Sequence, residues 1–171
     1  MSAEAVAAWN HYNEVLVQHL IQIGALTDRR WIEAFRATPR HIFVPCFIHD
    51  GVLLRAEDPT THDEWLRQVY SDTSLVVQQA PAPGYHEDLP TSSSTMPSLM
   101  AHMLELLDLH DDHRVLEIGT ATGYNAALLC HRLGDRNVTT IELHPDLAHS
   151  AREHLAATGR HPTVIVGDGA A

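Results

Sequence analysis

An α/β fold of the Rossmann type is predicted by three features of this 171-residue sequence. A short apolar strand (Val115, Leu116, Ile118) runs into a glycine turn at Gly119 and Gly123, and an amphipathic helix follows. A second strand, Val138-Thr139-Thr140-Ile141, ends in Glu142 and is followed by a helix over Pro145–Ala157. A third, Val164-Ile165-Val166, closes on Gly167-Asp168-Gly169. Strands alternating with helices imply a parallel sheet. Ligands of such sheets lie outside the carboxyl ends of the strands. Three carboxylates, Glu117, Glu142 and Asp168, fall at three successive strand ends, as a shared crevice requires.

The glycine turn carries the chemistry. Gly119 allows a sharp backbone turn, and Gly123 lets the helix begin close to a ligand. A dinucleotide fingerprint would also place glycines where this chain has Ala121 and Tyr124, so the phosphate-cradling form is broken. The acidic strand end suits a cationic ligand instead, such as the ammonium and sulfonium of S-adenosylmethionine. Glu142 lies about 20 residues beyond the turn, the offset at which an acid reaches ribose hydroxyls. Asp168 is expected beside the adenine.

Upstream, apolar residues at helical spacing (Val6, Trp9, Tyr12, Leu16, Leu20, Ile23) predict a helix over Ala3–Ile23, stopped by Gly24. A second helix is expected from Asp28 to about Ala37, ended by Pro39. Thr61-His62-Asp63-Glu64 has the form of a capping box opening a helix through Arg67. Leu75-Val76-Val77 reads as a short strand. Ala80 to Met96, dense in Pro, Gly, Ser and Thr, reads as a surface loop. Pro97 opens a further helix with Met100, Met103, Leu104 and Leu107 as its buried stripe. Residues 1–96 thus form a helical and substrate-loop region, and 97–171 the first half of a nucleotide-binding unit. There is no internal repeat.

Composition sets outer limits. Hydrophobic residues make up 44% of the chain, enough for a real core. A formal charge of -11 argues against nucleic acid or an anionic membrane as partner. Cys46 and Cys130 are far apart and read as buried, reduced thiols of a cytoplasmic protein. No apolar run is long enough for a membrane span. Fourteen histidines are scattered, and His41, His102 and His131 fall on expected helix or turn surfaces without ligand spacing, so no metal is expected.

Leu116-Glu117-Ile118-Gly119-Thr120-Ala121-Thr122-Gly123-Tyr124, with Thr140-Ile141-Glu142 and Val166-Gly167-Asp168-Gly169, resembles the protein-L-isoaspartate O-methyltransferase family. Trp31 to Pro45, containing Ala34-Phe35-Arg36-Ala37-Thr38-Pro39-Arg40-His41, is similar to that family's "AFRAVPRHxFVP" element. Val69-Tyr70-Ser71-Asp72 resembles its "AYxD" segment. The likeness covers most of Leu16 to Gly169. It implies a Rossmann-like class I S-adenosylmethionine-dependent methyltransferase fold with an N-terminal helical, α+β extension. It also implies S-adenosyl-L-methionine as cofactor, held by Glu117, Gly119, Thr120, Ala121, Gly123, Tyr124, Glu142, Leu143, Asp168 and Gly169.

Alignment on Pro97 and Glu105-Leu106-Leu107 places Thr95 where the family carries a serine whose hydroxyl faces the substrate carboxylate. Ser94, Thr95 and Met96 are then the substrate-contacting residues, with Thr95 catalytic. The plainer alternative is that Thr95 or Ser94 only caps the following helix. The implied activity is carboxyl O-methylation of an aspartyl or isoaspartyl residue in a peptide or protein, followed by succinimide formation.

Two departures stand out. The family's "PLPIGHGQTIS" stretch is replaced by the longer Leu75 to Pro90. Together with an insert over Asp50 to Trp65, this resembles the branch that methylates an aspartate in ribosomally made peptides. The sequence also stops at Ala171, just after the third strand, where the methyltransferase sheet would continue. A fragment or truncated product is therefore expected, with the first strand an uncovered edge. An NAD-dependent oxidoreductase and a non-catalytic remnant that binds cofactor or peptide remain as alternatives.

Overall fold

The computed structural model describes residues 3–171, with side chains from Trp9 onward, so the expected apolar contribution of Val6 lies outside the described side chains. The chain order is α1 (Ala3–Gln22), α2 (Arg29–Ala37), α3 (Arg40–Phe43), β1 (Cys46–His49), β2 (Val52–Arg55) and α4 (His62–Val69). Then come β3 (Leu75–Ala80), β4 (Leu89–Ser94), α5 (Pro97–Leu106), β5 (Val115–Ile118), α6 (Tyr124–Leu133), β6 (Val138–Glu142), α7 (Pro145–Ala157) and β7 (Thr163–Val166). No helix among the described residues is long and apolar enough to cross a membrane.

Two sheets organise the molecule. β5, β6 and β7 form the expected parallel sheet in that order, in register Ile118–Ile141–Ile165. Its helices α6 and α7 bury Ala127, Leu128, Leu129, Ala151 and Leu155. On the edge strand β5, Leu116 and Ile118 are 57% and 66% exposed. The second sheet is antiparallel, in order β2-β1-β3-β4. Its β1–β2 hairpin turns at Asp50 and Gly51, both with positive φ, as a two-residue hairpin turn requires. One continuous core joins the two halves: Leu20, Trp31, Phe35 and Phe43 meet Leu104, Tyr124 and Leu128.

Four expectations are corrected. Residues 89–94 are not loop but strand β4, paired with β3. Cross-strand pairing overrides the turn-rich composition, and Pro90 is tolerated because β4 is an edge strand. On α5, Met100 and Leu104 are buried with Pro97 and Ala101, whereas Met103 and Leu107 are exposed. The helix meets α1 and α2 along the 97/100/101/104 face, three residues N-terminal to the stripe read from the sequence. Thr61 is the N-cap of α4, yet its hydroxyl bonds the Arg55 backbone rather than the helix, and Glu64 bonds Arg67 and Gln68. No capping box forms. Cys46 is only partly buried, unlike Cys130.

His41 is also misplaced by the sequence reading. It is not a surface residue but sits among Trp9, Trp65 and Tyr70, with Nδ1 2.7 Å from the Tyr70 hydroxyl. Burial lowers its pKa to about 4, so the folded state favours the neutral ring. Between pH 6.5 and 4 the unfolded chain binds the proton more readily, and stability falls as pH is lowered through that window. The loss attributable to His41 is about 2 kcal/mol after allowing for the solvent that still reaches the ring. Chemical denaturation from pH 7 to pH 4 should show a shallower decline for His41→Phe than for the native chain. Equal slopes would remove His41 as a contributor.

Candidate active site

The candidate residues lie at the carboxyl ends of β5, β6 and β7, where the loop from Gly119 to Gly123 crosses. Gly119 has φ 91° and a side chain there would meet nothing within 4 Å, so its Cα faces open space. Gly123, with φ 86°, lets the loop approach α7: a Cβ would lie 3.3 Å from the Ala151 carbonyl oxygen. Gly169 packs closely on the exposed Ile118 side chain: a Cβ there would come 2.6 Å from Ile118 Cγ2, which would have to turn aside. Ala121 holds a left-handed conformation (φ 47°) without being glycine.

Backbone amides of this loop are already used within the chain. Gly119 and Thr120 donate to the Ile141 carbonyl, and Gly123 donates to that of Thr120. Ala121 donates to Glu142 Oε2 at 2.8 Å. A phosphate cradle needs several unsatisfied N–H groups aimed at the ligand. This loop presents carboxylates and a smooth backbone instead. The arrangement fits an adenosyl ligand without phosphates and disfavours a dinucleotide.

Glu117 and Glu142 occupy different roles. Glu117 accepts from Asn125 Nδ2 at 2.7 Å and from Thr140 Oγ1 at 2.5 Å, and Thr140 in turn lies 2.6 Å from Thr120 Oγ1. Removal from water raises the Glu117 pKa; the Thr140 and Asn125 bonds oppose that rise, and the Glu142 charge adds to it. Glu142 is buried, and its second oxygen accepts from the His144 amide at 3.0 Å. Its own carbonyl accepts from Gly167, which ties the end of β7 to the end of β6. Leu143 is exposed beside it. Asp168 is exposed, with Oδ1 bonded to the Ala170 amide. Among the described residues no cluster of His, Cys, Asp or Glu is placed to hold a metal ion.

Tyr124 departs from the expectation. Its ring is 1% exposed and lies in the core against Phe35 and Phe43, so it cannot line the crevice. A helix beginning at a buried loop turns its first side chain inward here. Ser94 departs likewise. It is buried at the end of β4, and its hydroxyl lies 3.4 Å from Arg40 Nη2, facing the core rather than a substrate.

Thr95 is partly exposed between β4 and α5 and makes no side-chain hydrogen bond among the described residues. The capping alternative does not hold for it. The N-terminal amides of α5 are met from the turn before β3: Asp72 Oδ1 accepts from Ser98 at 2.7 Å, and Ser74 Oγ accepts from Met96 at 3.1 Å. Met96 itself is the N-cap and is also partly exposed.

Arg40 links the two halves, and the sequence reading assigned it no role. It is fully buried, and its guanidinium donates to the carbonyls of Val69, Ser71, Thr73, Ser94 and Thr95. It lies 5.9 Å from the centre of the Tyr124 ring. Burial lowers its pKa to about 10, with Tyr124 and Asp72 opposing the shift. The available signal was an arginine in the largely apolar run from Pro39 to Pro45, with no acid at helical spacing. His154 was missed as well; its Nδ1 lies 3.1 Å from the Thr122 carbonyl.

A family model described as "Protein-L-isoaspartate(D-aspartate) O-methyltransferase (PCMT)" matches residues 10–171. A protein-L-isoaspartate O-methyltransferase of Ignicoccus hospitalis is 32% identical over 156 residues, which are 90% of this chain and 61% of that protein. Protein-L-isoaspartate O-methyltransferase 1 of Archaeoglobus fulgidus is 36% identical over 138 residues, 80% of this chain and 51% of that protein. The chain thus spans roughly half to two thirds of the length of these curated relatives. A solved protein-L-isoaspartate O-methyltransferase superposes with TM-score 0.65 at 29% identity, covering 92% of this chain and 42% of the other. A Plasmodium falciparum structure in complex with S-adenosyl-L-homocysteine shares the fold, with TM-score 0.59 at 14% identity, covering 90% of this chain and 62% of the other.

Proposed function

Because the chain belongs to the protein-L-isoaspartate(D-aspartate) O-methyltransferase family, we propose that it takes part in S-adenosylmethionine-dependent methylation of an aspartyl or isoaspartyl carboxylate in a peptide or protein. The cofactor, when bound, supplies an electrophilic methyl group. Glu142 would meet the ribose, Leu143 and Asp168 with Gly169 the adenine, and Glu117 the cationic end, with Gly119 leaving room above the loop.

A carboxylate with pKa near 4 is already ionised at neutral pH, so the chain need supply no general base. Its task is to strip that carboxylate of water and aim one oxygen, which can contribute roughly 7–11 kcal/mol. The observation that carries the reading is the unengaged Thr95 hydroxyl, left free because Asp72 and Ser74 serve the helix end. Thr95 would donate to the substrate carboxylate. The resulting methyl ester would collapse to a succinimide as the next backbone nitrogen attacks and methanol leaves.

Calorimetry with S-adenosylhomocysteine and mass spectrometry of a short linear isoaspartyl peptide test this directly. Absence of cofactor binding would favour the non-catalytic remnant. Thr95→Val should cut turnover at least about tenfold while leaving S-adenosylhomocysteine affinity within about twofold, and Thr95→Ser should restore most of the rate. If Thr95→Val lowered only the melting temperature, Thr95 would be a structural residue.

A second reading, modification of one shaped peptide, draws on the ribbon made by β3 and β4. Its tip, including Tyr85, is exposed and lies at the opposite end of β4 from Thr95. Remote contacts of that kind can orient a reacting group. Efficient methylation of the simple linear peptide would sink it.

A further inference from the structure

A cavity of about 150 Å³ opens between the antiparallel sheet and α7. Phe43 and Val77 form its apolar side, Cys46 and Pro45 lie where β1 begins, and Ala121–Thr122 of the glycine loop and His154 of α7 close it. Its lining is mostly apolar carbon, and Phe43 and His154 meet edge to face at 6.2 Å.

Two features mark it as more than a packing gap. Val76 pairs with Ser93 and Gln78 with Ser92, so Val77 is the extra residue of a β-bulge with no partner across the ribbon. Bulges re-aim side chains and occur beside active sites. Here the bulge turns Val77 to the cavity, on the strand paired with the one that leads into Thr95. The cavity also adjoins the proposed cofactor site, with which it shares Ala121. Its volume is that of a cavity known to accept a single benzene ring.

We propose that this cavity is a specificity pocket for one aromatic side chain of the peptide substrate, carried on a residue neighbouring the reacting aspartyl or isoaspartyl. The inference rests on the methyltransferase reading for the identity of the peptide. Phe43 and the His154 ring offer edges and faces to an aromatic guest. No Asp, Glu, Lys or Arg lines the cavity, and the Nδ1 of His154 already meets the Thr122 carbonyl, so a lysine or aspartate would enter without a counter-ion.

The test uses isoaspartyl hexapeptides with phenylalanine, alanine or lysine placed in turn at each neighbouring position. Both peptide dissociation constants, by fluorescence anisotropy with S-adenosylhomocysteine present, and methyl transfer, by mass spectrometry, are measured. At one position phenylalanine should bind about tenfold tighter than alanine, with lysine weakest. Val77→Trp, which fills the cavity, should bring the phenylalanine-to-alanine ratio close to one in a protein whose melting curve remains cooperative. Val77→Ala, which enlarges it, should move the preference toward tryptophan. Equal binding of all three peptides at every position overturns the pocket, as does a ratio unaffected by Val77→Trp. A phenylalanine preference without methyl transfer would instead sustain the pocket and overturn the methyltransferase reading.

Discussion

Replacing Arg40 by methionine should lower the melting temperature by roughly 6–12 °C, the shift expected for about 3 kcal/mol in a chain of this length. Methionine keeps the volume but leaves five carbonyls without the donor that now joins them. Each unsatisfied buried acceptor costs about 1–3 kcal/mol, and some of these carbonyls will regain water. Lysine preserves the charge but replaces a planar fork with a single ammonium on a thinner stem, so Arg40→Lys should recover only part of the loss. Differential scanning calorimetry of the two variants gives both numbers. A native melting temperature for Arg40→Met would show that the carbonyls are satisfied in some other way.

The same substitution bears on the reaction. Arg40 grips the carbonyl of Thr95 and stands over the ring of Tyr124, the first residue after the glycine loop. It therefore fixes the segment proposed to meet the substrate relative to the helix that begins at the cofactor site. Well below the melting temperature, Arg40→Lys should reduce kcat more than it weakens S-adenosylhomocysteine binding. A purely stabilising arginine would leave that ratio unchanged.

The parallel half of the fold was legible because its signals are local. Short strands, glycines after the first and third of them and an acid at each strand end all act within about ten residues of chain. Helix α7 has the bounds read from its sequence, and β5, β6 and β7 lie where the apolar runs placed them. What could not be read depends on distant partners. β4 is made of Leu, Pro, Thr and Ser, and only pairing with β3 makes it a strand. The stripe on α5 was displaced by three residues because α1 and α2, not its own pattern, decide which face is covered. The inward turn of Tyr124 likewise depends on Phe35 and Phe43, far upstream.

The candidate site divides in the same way. Glu117, Gly119, Glu142 and Gly169 are identifiable because the strand–turn–helix motif fixes their spacing. Arg40, Asp72 and His154 act through backbone atoms of segments 26 to 55 residues away, and no spacing rule reports that. The fate of the Thr95 hydroxyl shows why this matters. From sequence, capping and catalysis compete for it. Asp72 and Ser74, contributed by a turn the sequence only marks as polar, remove the first of those demands.

Glu142→Ala should weaken S-adenosylhomocysteine binding by about 1–3 kcal/mol, or roughly five- to 150-fold in dissociation constant. Two causes act together. The carboxylate would no longer accept from the ribose, and the amides of Ala121 and His144, which it now satisfies, would lose their acceptor. Ala121 holds a left-handed backbone conformation that a non-glycine residue adopts only under constraint, so the loop should relax once that bond is gone. Glu142→Gln separates the causes. An amide side chain has one acceptor oxygen, so its NH2 group would face one of the two backbone donors. The loop would still be disturbed, although a polar group remains beside the ribose. If the ribose contact dominates, glutamine should retain most of the affinity and alanine should lose it. If the loop dominates, both variants should lose affinity to a similar degree, and both should show faster hydrogen exchange at the Ala121 and His144 amides. Unchanged affinity in Glu142→Ala, measured by calorimetry on a folded protein, would remove Glu142 from the cofactor site and leave it as a turn residue alone.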